Sequence, residues 1–500
     1  MSNHSGRISR RRFLRSLGTV AAAVTARAPA RVLAAAARAG AKRAGRLNVV
    51  LILVDDMGWT DLACFGSKYY ETPHVDGLAA GGMKFTNGYA ACAVCSPTRA
   101  AVMTGRYPAR VGVTDWIRAG FQGGKALKAG ESEYVGGARR KVLCPRNPIW
   151  MEHSEVTLAE ALRPSGYVSC HIGKWHLGPK AYYPTCQGFD YNIGGCDYGQ
   201  PPSYFDPYTN RRLAEGIPTL KPRKAGEYLT DREADEAVAF IRKHRDRPFF
   251  LYMAHYAVHT PLQGKKDLTE RYKAKPATNQ KNATYAAMVH SVDDSTGKIL
   301  AALDACGLAD NTIVIFTSDN GGLLGPTHNA PLRAGKGHPY EGGIRVPVIV
   351  RWPGAVAPGS TCDVPVTSVD YFPTLLAATG VQPPDGVVID GEDLTPLLKQ
   401  TGPLRRGAIY WHFPHYRGSI YPYSIIRAGD WKLLKRYAGR PFELYNLKDD
   451  LSEKTDLAEK MPQKVKELDK RLTAWLKHTG AKVPRPNPDY KPAPRREARR

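Results

Sequence analysis

The sequence predicts an α/β protein in which helices sandwich a large, mostly parallel sheet, followed by a smaller C-terminal domain of antiparallel sheet plus helix. Three continuous apolar runs, 48–54, 249–253 and 312–317, are typical of strands that are buried on both faces. Amphipathic segments at 232–244 and 288–303 precede two of these runs. Strand, helix and strand in that order indicate a parallel sheet covered on both faces.

Composition and turn-forming segments divide the chain. Its 500 residues, 43% apolar and 23% charged, are typical of a globular protein with a large core. A segment rich in proline and glycine at 381–387 indicates a boundary. We expect short strands beyond it, near 409–412, 423–427, 431–435 and 442–447, and a closing helix at 463–477. The predicted divisions are a leader (1–46), a main domain (47–385), a small α+β domain (386–480) and a basic disordered tail (481–500).

The net charge of +25 is concentrated at the two ends of the chain. Residues 1–46 hold eleven lysines or arginines and no acidic residue, and residues 482–500 hold seven basic and two acidic residues. About +9 is left for the rest of the chain. No basic stripe with interleaved aromatic residues is visible, which argues against a nucleic acid partner. Modest positive charge near a pocket would instead attract anionic substrates.

The amino end carries an export pattern. Ser-Arg-Arg-Arg-Phe-Leu at 9–14 resembles a twin-arginine signal, and a weakly apolar stretch follows it. Arg27 and Arg31 interrupt that stretch, so it is too short to span a bilayer, and we expect no integral membrane segment. A basic disordered leader is the alternative. Export to the periplasm or beyond would allow the nine cysteines to pair, and Cys186 and Cys196 are a plausible local disulfide.

Polar residues follow two of the buried strands at the point where each strand ends. Asp55 and Asp56 come directly after the first strand, and Asp319 and Asn320 come shortly after the third. Open α/β sheets place their ligands at the carboxyl ends of their strands. Three carboxylates and one amide oxygen form an all-oxygen set, which suits Ca²⁺ or Mg²⁺ better than zinc.

Cationic and imidazole side chains lie in three further loops. Lys174 and His176 are two residues apart in Gly-Lys-Trp-His-Leu-Gly, so on an extended segment both would point to the same side. His259 begins a His-Thr-Pro run, and Lys336 lies in Gly-Lys-Gly. A lone residue of either type in a loop is usually just solvated. The neighbouring residues here favour a shared pocket.

The run Cys95-Ser96-Pro97-Thr98-Arg99, followed by Thr104-Gly105-Arg106, is the most informative stretch. Together with the loops just described, it resembles the signature of the type I sulfatases of the alkaline-phosphatase superfamily. The cysteine of that signature is oxidised to formylglycine after synthesis, before folding is complete. The resemblance covers roughly residues 47–475, and Thr98 stands where the family often has serine. It implies an alkaline-phosphatase-like fold and a sulfuric ester hydrolase.

The resemblance also implies a role for each matching residue. One hydroxyl of the hydrated aldehyde would attack sulfur, and the other would later expel sulfate. Formylglycine at Cys95 would bind a cation, calcium in preference to magnesium, together with Asp55, Asp56, Asp319 and Asn320. Arg99 and Lys174 would hold the aldehyde hydrate, and Lys174, His259 and Lys336 would contact the sulfate oxygens. His259 and Lys336 would donate a proton to the leaving alcohol, and His176 would act as the base in the second step.

The substrate implied by the resemblance is a sulfated small molecule or glycan, and a maturation enzyme that generates formylglycine is an implied partner. The overall pattern favours galactose or N-acetylgalactosamine sulfates. His412 and His415 in the small domain are candidate substrate-binding residues, or else polar residues at a strand end. Two other functions remain open, namely a phosphonate or phosphate ester hydrolase of the same superfamily and a non-catalytic binder of sulfated glycans.

Overall fold

The computed structural model describes residues 46–221 and 223–492. The predicted leader, apart from Arg46, and the last eight residues of the predicted tail lie outside the described residues. Within the described part, no helix has the length and apolar character needed to cross a bilayer.

Seventeen strands occur in the described residues. In chain order they are β1 (Asn48–Val54), β2 (Met83–Phe85), β3 (Gly88–Tyr89), β4 (Tyr134–Val135), β5 (Val142–Pro145), β6 (Val168–Gly173), β7 (Tyr191–Ile193), β8 (Phe249–Ala254), β9 (Thr312–Ser318), β10 (Val348–Arg351), β11 (Ser360–Cys362), β12 (Val366–Thr367), β13 (Ile409–Phe413), β14 (Tyr423–Ala428), β15 (Trp431–Arg436), β16 (Glu443–Asn446) and β17 (Arg485–Pro486).

The α-helices of the described residues are α1 (Pro73–Ala80), α2 (Cys95–Thr104), α3 (Pro108–Val111), α4 (Leu158–Leu162), α5 (Leu229–Lys243), α6 (Lys266–Lys273), α7 (Ala283–Ala305), α8 (Glu341–Ile344), α9 (Tyr371–Thr379), α10 (Thr395–Leu398) and α11 (Pro462–His478). Short 3-10 helices lie at Ala63–Phe65, Gly120–Gln122, Arg163–Ser165, Lys180–Tyr182, Pro184–Cys186, Ala309–Asn311 and Ser368–Asp370.

The largest sheet has eight strands in the order β11-β2-β10-β9-β1-β8-β6-β7. All of its strands run in one direction except β10, which is antiparallel to both of its neighbours. Strand β1 lies at the centre, paired in parallel with β8 and β9. The carboxyl ends of these three strands therefore meet at one edge of the sheet.

Helices cover both faces of this sheet, as the sequence predicts. Every residue of β1 is buried, because its alternate side chains enter two separate apolar cores. Val50, Ile52 and Val54 pack with α5 and α7 on one face, and Val49, Leu51 and Leu53 pack with α2, α4 and α9 on the other. The predicted fold class is confirmed.

The C-terminal region forms a four-stranded antiparallel sheet, β13-β14-β15-β16. The amphipathic helix α11 packs on it through Leu468, Leu472 and Trp475. On its other side, the Trp411 ring lies against Tyr89, and Trp411 Nε1 donates a hydrogen bond to the Ala90 carbonyl at 2.7 Å. The small sheet thus contacts the segment that leads into α2.

A buried ionic cluster also joins the four-stranded sheet to β3 and α8. We call it the junction cluster and define it as Tyr89, Glu341, Arg345, Lys432 and Glu453. Lys432 Nζ lies between the two carboxylates, 2.9 Å from Glu341 Oε1 and 2.7 Å from Glu453 Oε1. Glu341 Oε2 accepts from Tyr89 Oη at 2.6 Å and lies 3.0 Å from Arg345 Nε. The charges in this cluster pair with one another.

Two expectations from the sequence are wrong. Cys186 and Cys196 are not bonded, because Cys186 is exposed whereas Cys196 is buried with its Sγ 3.5 Å from Tyr256 Oη. The sequence predicts disorder from residue 481 onwards, but residues 481–492 do not fit that prediction. In that stretch β17 pairs with β5, and the Lys491 N–H donates to the Ala138 carbonyl at 2.7 Å.

Candidate active site

The structure brings together the polar residues that follow β1 and β9. The Asp56 N–H donates to Asp319 Oδ1 at 3.2 Å, and Asn320 Nδ2 donates to Asp56 Oδ1 at 2.8 Å. All four residues, Asp55 included, are almost completely buried. The parallel pairing of the two strands explains this meeting, since their carboxyl ends lie side by side.

Cys95 is the first residue of α2, and it lies beside this group of oxygens. Its thiol and one side-chain atom each from Asp55, Asp56 and His259 all lie within 4.8 Å of one another. Cys95 is 3% exposed. Burial raises the pKa of the thiol, although Lys174 and Lys336 oppose that change. A protonated, buried thiol is a poor nucleophile.

Arg99 and Lys174 connect Cys95 to the carboxylates. Arg99, one helical turn after Cys95, donates from Nε to Asp319 Oδ2 at 2.9 Å and from Nη1 to the Lys174 carbonyl at 2.6 Å. Lys174 Nζ donates to Asp55 Oδ2 at 2.6 Å. Both cations are fully buried and paired. Burial, and then the Asp319 carboxylate, raise the pKa of Asp55 to about 8 in spite of these partners.

Lys336 and His259 both lie beside Asp56. Lys336 Nζ lies 2.6 Å from Asp56 Oδ1, and His259 Nε2 lies 3.6 Å from Asp56 Oδ2. Burial alone would raise the pKa of Asp56, but chiefly the charge of Lys336 holds it below its ordinary value. Burial, and then the charge of Lys336, lower the pKa of His259 to about 3.

The backbone that carries His176 differs from the predicted extended segment. Strand β6 ends at Gly173, and His176 has a φ of 60°, so the segment is not extended. Its Nε2 lies 2.8 Å from the Ile117 carbonyl, which can only accept, so the proton is on Nε2. Nδ1 is buried and has no hydrogen-bond partner among the described residues. Burial holds the pKa of His176 well below its usual value, so Nδ1 keeps a free lone pair.

The oxygens of the site fit a hard divalent cation. Asp55 Oδ1 and Asn320 Oδ1 are both buried without a hydrogen-bond partner among the described residues. An unpaired buried oxygen is costly, whereas Ca²⁺ and Mg²⁺ bind carboxylate and amide oxygens. The residues that would hold the ion are therefore Asp55, Asp56, Asp319 and Asn320.

Comparison with known proteins identifies the family. Residues 47–381 match the model of the family described as Sulfatase, and residues 335–482 match the model described as N-sulphoglucosamine sulphohydrolase, C-terminal. The first match includes all the site residues described above. The chain belongs to the sulfatase family. It is a sulfuric ester hydrolase, as the resemblance in its sequence implies.

Several relatives of this sulfatase cover most of the chain. A protein named sulfatase from Formosa agariphila is 33% identical, over 86% of this chain and 88% of the relative. Human N-acetylgalactosamine-6-sulfatase is 38% identical, over 73% of this chain and 68% of the relative. A solved structure of Ps i-CgsB in complex with k-i-k-neocarrahexaose is 31% identical with a TM-score of 0.72, and the match covers 86% of this chain and 93% of that one.

The two histidines predicted to bind substrate lie in the small sheet of the sulfatase and the loop after β13. His412 Nδ1 lies 2.7 Å from Ser424 Oγ, and its Nε2 lies 3.3 Å from the Lys482 carbonyl. His415 Nε2 lies 2.8 Å from Thr114 Oγ1. Both rings are buried and bonded to the chain itself. Their role in binding substrate stays a prediction, and these contacts favour the alternative of polar residues at a strand end.

The sequence did not indicate Ser96 or Tyr204, which also contact residues of the site. Ser96 Oγ donates to the His176 carbonyl at 3.0 Å and accepts from the Ile117 N–H at 2.9 Å, which fixes both residues beside Cys95. The Tyr204 hydroxyl is 2.8 Å from the His259 carbonyl. Ser96 lies inside the Cys95–Arg99 signature, so its position in the sequence could have indicated a role at the site. No feature of the sequence links Tyr204 to His259.

Proposed function

We propose that this sulfatase hydrolyses sulfate monoesters of carbohydrates, with a formylglycine derived from Cys95 and a bound calcium ion. Sugars of the galactose or N-acetylgalactosamine type are favoured. The observation that carries the proposal is the position of Cys95 beside three paired cations and two buried oxygens that have no hydrogen bond among the described residues. The relatives named for N-acetylgalactosamine-6-sulfate and crystallised with a neocarrahexaose support the choice of sugar.

The unmodified thiol of Cys95 stands where the hydrated aldehyde would be. That hydrate supplies two hydroxyls on one carbon, one for attack on sulfur and one for the later release of sulfate. The cation, when bound, polarises the sulfate as a Lewis acid. The donors of Arg99 and Lys174 are held by Asp319 and Asp55 beside this position, and their charges oppose those of the carboxylates.

Lys336 is the best-placed proton donor to the leaving alcohol. Burial would lower its pKa, but the Asp56 carboxylate holds it above the usual value, so the ammonium keeps its proton. His259 is neutral, and its Nδ1 lies 2.8 Å from the Thr260 carbonyl. Because that carbonyl can only accept, Nδ1 carries the proton and Nε2 has the lone pair. Nε2 is therefore suited to accept a hydrogen bond until the anionic substrate favours its protonation.

His176 is suited to the second step. The Ile117 carbonyl fixes the tautomer that leaves Nδ1 as an acceptor, and a neutral imidazole can take the proton of the remaining hydroxyl. The arginine-rich pattern of residues 10–12 supports export through a twin-arginine-type pathway, with a maturation enzyme acting on Cys95 before export.

The test uses protein that is co-produced with a formylglycine-generating enzyme. We expect hydrolysis of sulfated galactose or N-acetylgalactosamine, a tryptic segment around Cys95 that has lost its sulfur, and a loss of several orders of magnitude in kcat for Cys95→Ala. Turnover of aryl sulfate without any sulfated sugar would refute the carbohydrate assignment. Faster turnover of an aryl phosphodiester would favour the alternative hydrolase, and full activity of Cys95→Ala would refute the mechanism.

A further inference from the structure

Arg417 lies in the loop between β13 and β14 and has an unpaired guanidinium. Its backbone is fixed, since its N–H donates to the Ile420 carbonyl at 3.1 Å and the Ile420 N–H donates back at 2.9 Å. Among the described residues, its side chain makes no hydrogen bond and no ion pair within 4.0 Å. Two other arginines of the same sheet are paired, Arg436 with Glu443 and Arg427 with Tyr89.

The Arg417 side chain lies directly on Gly337, next to Lys336. A Cβ on Gly337 would meet Arg417 Nε at 2.7 Å and Cδ at 2.9 Å, and Gly337 has a φ of 85°. Glycine is therefore required there both for the backbone and for the approach of the arginine. The Gly337 N–H donates to the Ala93 carbonyl at 2.8 Å. Arg417 thus stands where the Lys336 loop meets the segment that enters α2.

Arg417 lies outside the group of charges that act most strongly on Cys95, which includes Lys174 and Lys336. The charge of Arg417 acts instead on His338 and Asp115. Burial, and then Arg417, lower the pKa of His338. Burial raises the pKa of Asp115 to about 6, and both Arg118 and Arg417 oppose that change.

Arg118 is a second cation that acts on Asp115. The Arg118 guanidinium stacks on Trp116 with 4.6 Å to the ring centroid, and its side chain is 46% exposed. Trp116 lies next to Ile117, whose carbonyl holds His176. The only carboxylate within 4.0 Å of the Arg118 guanidinium among the described residues is Asp115, at 3.9 Å. Arg118 and Arg417 therefore both act on the buried carboxylate of Asp115, and among the described residues Arg417 has no carboxylate within 4.0 Å.

We propose that Arg417 binds a second anionic group of the substrate, a sulfate or a carboxylate carried beside the sulfate ester that is cleaved. The planar guanidinium fork matches either oxyanion in bidentate geometry, which a lysine cannot reproduce. The substrate class is thus a sulfated carbohydrate with at least two negative groups. This inference rests on the proposed function and narrows it.

The test compares wild type, Arg417→Ala and Arg417→Lys on three matched sugars. One sugar carries a single sulfate, one carries two sulfates, and one carries a single sulfate beside a uronate. Arg440→Ala is the control, because Arg440 belongs to the same domain, is exposed and stacks on Tyr421 at 4.2 Å. It should leave all three kcat/KM values unchanged.

We expect Arg417→Ala to lower kcat/KM on one of the doubly anionic sugars by about tenfold to a hundredfold relative to the singly sulfated sugar, through KM. Arg417→Lys should fall between wild type and the alanine variant. The sugar that shows the effect identifies the second anion as sulfate or carboxylate. An equal loss on all three sugars, or no loss, would overturn the inference. If wild type hydrolysed no sulfated sugar at all, the proposed function itself would fail.

Discussion

Two buried ionic clusters in this sulfatase differ in how closely their oxygens are paired. Neither Glu453 Oε1 nor Asp55 Oδ1 has a hydrogen bond among the described residues, but Glu453 Oε1 lies 2.7 Å from Lys432 Nζ, whereas Asp55 Oδ1 lies 3.9 Å from Arg99 Nη2. In the active site, Asp55 Oδ1 and Asn320 Oδ1 have no hydrogen-bond partner among the described residues. In the junction cluster, both oxygens of Glu341 are engaged, and Glu453 accepts the Glu341 N–H at 2.7 Å while it pairs with Lys432. The first cluster leaves oxygens available for a cation, whereas the second compensates its charges internally.

The difference shows how buried charge can serve either binding or stability. A buried carboxylate whose charge is not fully compensated destabilises the folded chain. Binding of a cation then stabilises the folded chain. A buried carboxylate that is fully paired instead depends on its partner within the protein. The two clusters should therefore respond differently when a lysine, a cation or a proton is changed.

The largest effect should follow from removing the lysine of the junction cluster. Lys432→Met leaves Glu341 and Glu453 buried side by side without the cation between them, and we expect a loss of about 3–5 kcal/mol in the free energy of unfolding. Urea denaturation at neutral pH measures this. Adding Glu453→Gln should restore most of the loss, because Glu341 keeps Arg345. A loss below about 1 kcal/mol for Lys432→Met would show that the pairing does not stabilise the fold.

A smaller effect should follow from removing the divalent cation. Chelation should abolish activity and lower the free energy of unfolding by about 2.7 kcal/mol relative to protein with the ion at a hundred times its Kd. Titration with Ca²⁺ and with Mg²⁺ distinguishes the two ions. Asp55→Asn should weaken this shift, while Lys432→Met should retain it. If both variants retained it equally, the ion would bind elsewhere.

The smallest effect concerns pH in the junction cluster. Burial raises the pKa of Glu453 to about 7. The charge of Glu341 also raises this pKa, whereas the charge of Lys432 lowers it. A pKa raised in the folded state gives stability that is complete below the unfolded value and is lost as pH rises through the folded value. Unfolding free energy should therefore decrease by on the order of 2 kcal/mol between pH 5 and pH 8. Glu453→Gln should reduce the slope by this contribution without abolishing it, because the raised pKa values of Asp55 and Asp115 add slopes of the same sign. An unchanged slope would assign the contribution to another group.

Much of the fold followed from local patterns in the sequence. The strand predicted at 48–54 is observed with the same bounds, and the strands predicted from 249 and 312 end one residue later than expected. The predicted helix at 463–477 is longer by one residue at each end. Continuous burial and helical periodicity are properties of neighbouring residues, so they can be recognised without the partners.

Features that depend on distant contacts could not be predicted in this way. The backbone at His176 is left-handed, its N–H donates to the Cys196 carbonyl and its ring lies against Gly199. Residue spacing carries no sign of these features. The junction cluster joins Glu341 to a lysine 91 residues away. Apolar periodicity cannot assign the partner of a buried charge.

If Cys95 is converted to formylglycine as proposed, its burial limits when a molecule can become active. With 3% of its surface accessible and helix α2 and the small sheet built around it, Cys95 offers no approach for a second protein once folding has finished. Under the proposed mechanism, a polypeptide that folds with its sulfur intact stays inactive. Specific activity in any preparation then reports the fraction of chains converted before folding, and no later treatment of the native protein should increase it.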